Sequence, residues 1–175
     1  MCGLTGIFNP RGHDPLATAV QAMTDRLVHR GPDGDGVWTD DTAGVALGHR
    51  RLSIIDLSPA GAQPMTSACG RYTIVYNGEV YNAEDLRRDL AAAGASPDYR
   101  GHSDTEVMLA AFTCWGVRAA VEKLIGMFAF ALWDREERCL VLARDRLGIK
   151  PLYWGDAGGL FLFASELKSF HAHPR

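Results

Sequence analysis

The chain has 175 residues, 47% of them apolar and 22% charged, usage that belongs to a folded domain rather than a disordered segment. A net charge of −3 and a pI near 6.0 give no electrostatic footprint for nucleic acid or for an anionic membrane. The longest strongly apolar run, Met127 to Trp133, is far shorter than the ~20 residues that span a bilayer. No basic segment followed by an apolar one opens the chain, so the expected compartment is cytoplasmic.

In chain order, Gly3 to Phe8 is short and apolar, which suits a buried first strand. Asp14-Pro15 offers a cap and a proline at a first helical position, and Leu16, Val20, Met23 and Leu27 follow at helical spacing. A helix is predicted over 15–28. Three glycines and a proline between His29 and Gly36 then predict a shaped loop. Strands are expected over 43–47 and 52–55. Another is expected over 72–76, ending at the turn dipeptide Asn77-Gly78. A second helix is capped by Asn82 and stops at Gly94, and a third carries the capping box Ser103-Asp104-Thr105-Glu106. A short helix is predicted over 117–124. Apolar strands over 127–133 and 139–143 have both faces covered, and two more lie at 152–154 and 160–164. The sum is an α+β fold with layered sheets and helices outside.

Several chemistries are excluded by their missing signatures. Asp33, Asp35 and Asp40 do not make a calcium loop, because Val37 stands where an oxygen ligand is needed. No dinucleotide, P-loop or serine-hydrolase signature is present, and the four cysteines form no CxxC pair. His171 and His173 lie in a polar tail beside Pro174 with no further ligands in sequence, so no metal site is expected.

Cys2 stands out by position. Removal of Met1 would put a thiol and a free α-amine on one residue, and the amine, titrating near ~7.7–8.0, could serve as the thiol's own base. Alone this is weak evidence. It gains weight from the segments that accompany it: His29-Arg30-Gly31-Pro32-Asp33, Arg51-Leu52-Ser53-Ile54, Asn77-Gly78-Glu79-Val80-Tyr81-Asn82, Ser103-Asp104-Thr105-Glu106, Gly126 to Ala131, Arg144 to Tyr153, and Ala164-Ser165-Glu166-Leu167-Lys168. Together they resemble the N-terminal glutaminase domain of the asparagine synthetase family, a class II glutamine amidotransferase, over essentially the whole chain (residues 2–175).

The resemblance implies a four-layer αββα sandwich of the N-terminal-nucleophile hydrolase type. It makes Cys2 the nucleophile and the Asn77 amide and Gly78 N–H the oxyanion donors. Arg51 would grip the α-carboxylate of glutamine, Asp104 its α-ammonium, and Glu79 would help line the pocket. Arg30 and Asp33 would support the site, whereas His29 is expected only to cap a helix end. No cofactor or metal is implied for this domain; ATP and magnesium would belong to a C-terminal synthetase domain or subunit, whose Ser-Gly-Gly loop these residues lack. Two alternatives stay open: a non-catalytic glutamine-binding module, and the glutaminase half of another class II enzyme.

Overall fold

The computed structural model describes residues 1–12, 16–54 and 58–173. Sheet A is built from β2 (Gly34–Asp40), β3 (Val45–Arg51), β1 (Gly3–Phe8), β9 (Leu160–Ala164) and β8 (Tyr153–Ala157), in that spatial order. Sheet B runs β4 (Met65–Thr66), β5 (Tyr72–Val80), β6 (Gly126–Asp134), β7 (Cys139–Arg144). All pairings are antiparallel. Helix α1 (Ala17–Asp25) covers the outer face of sheet A, and α2 (Ala83–Ala92), α3 (Asp104–Trp115) and α4 (Val117–Lys123) cover that of sheet B.

Alternation along the strands produces these layers. In β1, Leu4 and Phe8 face sheet B while Ile7 faces α1; in β3, Val45 and Leu47 face inward while Ala46 packs toward α1. Val75, Ala129, Ala131 and Trp133 answer from sheet B, and Tyr72, Ile74, Tyr76, Phe128 and Phe130 turn outward against the helices. Three apolar seams therefore separate four layers: helix, sheet, sheet, helix. The α+β sandwich expected from the sequence is present.

Some local expectations change. Helix α1 spans Ala17–Asp25 rather than 15–28, because residues 26–30 tighten into turns; the Asp14-Pro15 cap lies outside the described residues. Strand β2 begins at Gly34, inside the segment expected to be loop, where the register Gly36↔His49 recruits it. β3 absorbs Val45 to Arg51 as one strand, and Leu52 to Ile54 is not strand. Asn82 caps no helix with its side chain. Its amide instead donates to the Lys123 carbonyl (3.0 Å) and accepts from the Ile125 N–H (2.9 Å), tying α2 to the α4–β6 junction. Half of the α3 capping box forms. Ser103 Oγ accepts from the Glu106 N–H, while the Glu106 carboxylate accepts from Arg100 and Gly101.

The largest correction concerns Asn77-Gly78. No turn forms there: β5 continues to Val80, with Asn77 opposite Ala129 and Gly78 opposite Phe128. Long-range pairing with β6 outweighs the local turn preference. The glycine has a packing reason as well, since a Cβ at Gly78 would sit 2.4 Å from the Met127 carbonyl oxygen and 2.7 Å from Phe128 Cα. A Gly78→Ala variant is expected to lose ~1–3 kcal/mol of stability from this overpacking, read as a lowered thermal midpoint.

Candidate active site

The inward faces of the two sheets converge at one end of the sandwich, and period-two alternation decides which side chains arrive there. Cys2 has the parity of Leu4, Arg51 that of Leu47, and Asn77 and Glu79 that of Val75, so all four approach the opening between the sheets. Asp104 enters from the first turn of α3. A cavity of about 140 Å³ is lined by Cys2, Arg51, Asn77, Gly78, Glu79 and Asp104. Arg30 and Asp33 do not line it.

Cys2 precedes β1, the central strand of sheet A, and is half-buried. Its sulfur accepts from the Leu52 N–H (3.4 Å), and the thiol can donate back to the Leu52 carbonyl (3.6 Å). Beneath it, the Arg30 guanidinium donates to the Cys2 carbonyl (2.9 Å) and to Glu166 (2.8 Å). Burial pulls the Glu166 carboxyl up, but hydrogen bonds from Arg30, His29 and Lys168 overcome that and hold it down at about 2. His29 is thus a partner of Glu166 (3.0 Å) rather than a helix cap. Asp33 accepts from the Ser53 N–H (2.8 Å), fastening the loop that carries Leu52. Arg30 and Asp33 thus act on the surroundings of Cys2.

The donors opposite sulfur come from β5. Asn77 is 2% exposed, and its buried Nδ2 has no hydrogen-bond acceptor among the described residues. An unpaired buried amide is costly, so a donor kept in this state marks a place where a partner arrives. Gly78 supplies the second direction. The Asp145 N–H donates to the Phe128 carbonyl (2.7 Å), and the Phe128 N–H donates to the Asp145 carboxylate (3.2 Å). The polar groups of Phe128 therefore point away from β5, and those of Gly78, its opposite residue, point away from β6. On that same edge the Tyr76 N–H donates to Gln63 Oε1 (2.6 Å) and the Val80 N–H to Asp104 Oδ2 (2.9 Å). Gly78 N–H emerges between them, on the edge that lines the cavity.

Arg51 also lines the cavity and donates to the Ser58 carbonyl (3.0 Å), which holds its planar fork at the cavity wall. Asp104 Oδ2 accepts from the Tyr76 hydroxyl (2.6 Å) as well as from Val80. Burial raises the Asp104 carboxyl above its ordinary range despite those bonds, and burial with the adjacent carboxylate pushes the Tyr76 phenol well up. A buried carboxylate facing a cavity is a cation acceptor, opposite in charge to Arg51. The two side chains match the two charged groups of a free amino acid.

Tyr76, Gln63, His49 and Lys150 also line the cavity and were absent from the sequence-derived set. His49, 1% exposed, bonds the Tyr76 carbonyl (3.0 Å) across the sandwich. A carbonyl only accepts, so Nε2 carries the proton; burial lowers the imidazole to about 4, and the ring is neutral. Tyr76 and His49 read in sequence as ordinary core, because their inward or outward parity is known only once the register is known.

Residues 1–175 match the glutamine amidotransferase domain family. The chain belongs to this family. Among relatives of the amidotransferase domain, asparagine synthetase [glutamine-hydrolyzing] 3 of Bacillus subtilis (strain 168) is 44% identical over 178 residues, covering 99% of this chain and 28% of the relative. Asparagine synthetase [glutamine-hydrolyzing] 1 of the same organism is 43% identical, covering 97% and 26%. Amidase chry2 of Gibberella zeae is 38% identical, covering 98% and 26%. The chain thus spans about a quarter of the length of these proteins. Among solved structures, the glutamine phosphoribosylpyrophosphate amidotransferase of B. subtilis, complexed with ADP and GMP, superposes with a TM-score of 0.80. It shares 24% identity over 98% of this chain and 43% of that one, a likeness of fold. The motifs that resemble an asparagine synthetase glutaminase domain therefore sit in a member of the amidotransferase family with a four-layer αββα sandwich. Among the described residues, no helix is long and apolar enough to cross a membrane.

Proposed function

We propose that this domain hydrolyses glutamine to glutamate and ammonia, with Cys2 as the nucleophile after removal of Met1. The observation that carries the proposal is the convergence on one cavity of a half-buried thiol, the Asn77 amide with no acceptor among the described residues, and one cationic and one anionic side chain, Arg51 and Asp104. Arg51 holds the α-carboxylate of glutamine and Asp104 its α-ammonium, which leaves the side-chain carboxamide toward Cys2. Glu79 lines the same cavity.

The Cys2 thiol gives its proton to its own α-amine, and the sulfur adds to the carboxamide carbon. Asn77 Nδ2 and the Gly78 N–H receive the charge that develops on oxygen. The tetrahedral adduct collapses, the α-ammonium returns its proton to the leaving nitrogen, and ammonia departs from a glutamyl thioester. Water, deprotonated by the same amine, adds to the thioester through a second oxyanion and releases glutamate with the regenerated thiol. This half-reaction needs no metal or organic cofactor.

The ammonia is passed to an ATP-dependent amidation of aspartate or another carboxylate on a synthetase domain or subunit in the cytoplasm, where ATP and magnesium act. The relatives named asparagine synthetase, three to four times longer than this chain, support that assignment. The test is release of glutamate and ammonia from glutamine, with the thioester trapped on the peptide containing Cys2. Asn77→Ala is expected to lower kcat roughly 10²–10³-fold, equivalent to ~2.7–4 kcal/mol of barrier, with a smaller change in KM. A domain that binds glutamine but releases no ammonia would instead be a binding module.

A further inference from the structure

Lys150 is a buried lysine that the proposed chemistry does not use. It is 6% exposed and lines the same cavity as Cys2. Its backbone is pinned on both sides: its N–H donates to the Asp145 carboxylate (3.0 Å), and its carbonyl accepts from Arg144 (2.6 Å). Among the described residues, the ammonium has one partner, the sulfur of Met1 at 3.3 Å. A thioether is a weak acceptor, and burying an ammonium without a carboxylate or a set of strong acceptors is costly. That one partner belongs to the residue whose removal creates the nucleophile.

We infer that Lys150 is a positioning charge for the nucleophile. Once Met1 is gone, its ammonium disfavours protonation of the Cys2 α-amine and favours the thiolate, so that the amine–thiol pair is reactive at neutral pH. The inference rests on the glutaminase reading and adds the residue that sets its pH range. Bond lengths along Met1 place the Lys150 nitrogen within about 10 Å of the Cys2 nitrogen. At that separation and an effective dielectric of ~20, one positive charge shifts an amine by about one pH unit.

The other charged groups near Cys2 are otherwise engaged. Arg30 is paired with Glu166, and Asp104 holds the Tyr76 hydroxyl and the Val80 N–H. His49 is neutral, Glu79 is exposed, and Arg51 bonds the Ser58 carbonyl. The Asp145 carboxylate is held by the Lys150 backbone N–H, and among the described residues no carboxylate pairs with the Lys150 ammonium.

The experiment compares kcat/KM for glutamine against pH in the Met1-processed parent, K150M and K150R. The acid limb, which reports the free amine–thiol pair, is expected to move up by about one unit in K150M. Near pH 6.5 that is roughly a tenfold loss, with the curves converging above pH ~9. K150R should keep the parent limb. K150Q is the second neutral variant and is expected to behave as K150M does. Coincident limbs in an active parent and the neutral variants overturn the assignment. So does a uniform loss at every pH, which marks a structural role, and so does a change confined to KM, which marks a substrate contact. An inert parent with Met1 removed overturns the glutaminase reading itself, which separates the two failures.

Discussion

Replacing Cys2 by alanine is expected to abolish ammonia release from glutamine, a loss of roughly 10⁴-fold or more. No other thiol lines the cavity; of the remaining cysteines, Cys69 and Cys139 are exposed, Cys114 is half-buried on α3, and none lines the site. Losses of that size are typical when a nucleophile that works as a unit with its base is deleted. The fold should be almost untouched. Cys2 lies before β1, is only half-buried, and makes weak sulfur contacts to the Leu52 backbone at 3.4 and 3.6 Å. Truncating it removes little apolar packing, so the unfolding free energy should change by no more than the ~0.5 kcal/mol common to surface substitutions. Calorimetry and a coupled glutamate assay on the same preparation check both halves of this expectation. A Cys2→Ala variant releasing ammonia at the parent rate would remove Cys2 from the mechanism.

A protein that keeps Met1 is expected to be impaired almost as severely, for two separable reasons. The Cys2 nitrogen is then an amide and cannot accept the thiol proton, and loss of a positioned general base costs roughly 10²–10⁴-fold. The Met1 side chain also lines the same cavity as Cys2 and contacts Lys150, so it would compete with a substrate bound there for space. The first effect lowers kcat and erases the acid limb that the free α-amine would produce; the second raises KM. Processed and unprocessed forms, resolved by intact mass, should differ in both parameters. Equal activity in the two forms would exclude the α-amine as base.

Asp104 shows how local and non-local information divide. Its place at the start of a helix is legible, because Ser103 is a good cap and Val107, Met108, Ala111 and Phe112 follow at helical spacing. What the carboxylate touches is not legible. Tyr76 and Val80 reach it from β5, 28 and 24 residues away. His49 and Tyr76 are hidden for the same reason, since their contact crosses from one sheet to the other. Asn77-Gly78 was misleading at the local level: a dipeptide that favours a hairpin turn is held straight by nine residues of pairing with β6. The donors it supplies are aimed by strand parity, not by a bend.

The sequence alone determined an α+β fold with sheets covered on both faces, because the strands over 127–133 and 139–143 are apolar on both; the four-layer αββα order was implied by the family resemblance. It also determined the residue types of the site, since thiol, amide, guanidinium and carboxylate each stand in a distinctive local segment. Tertiary structure alone decided which atoms meet: sulfur against the Leu52 N–H, the Gly78 N–H turned from β6, Lys150 against Met1. The physical reason is that local propensities act over a few neighbouring residues, whereas strand register and helix docking are fixed by burial summed over the whole sandwich.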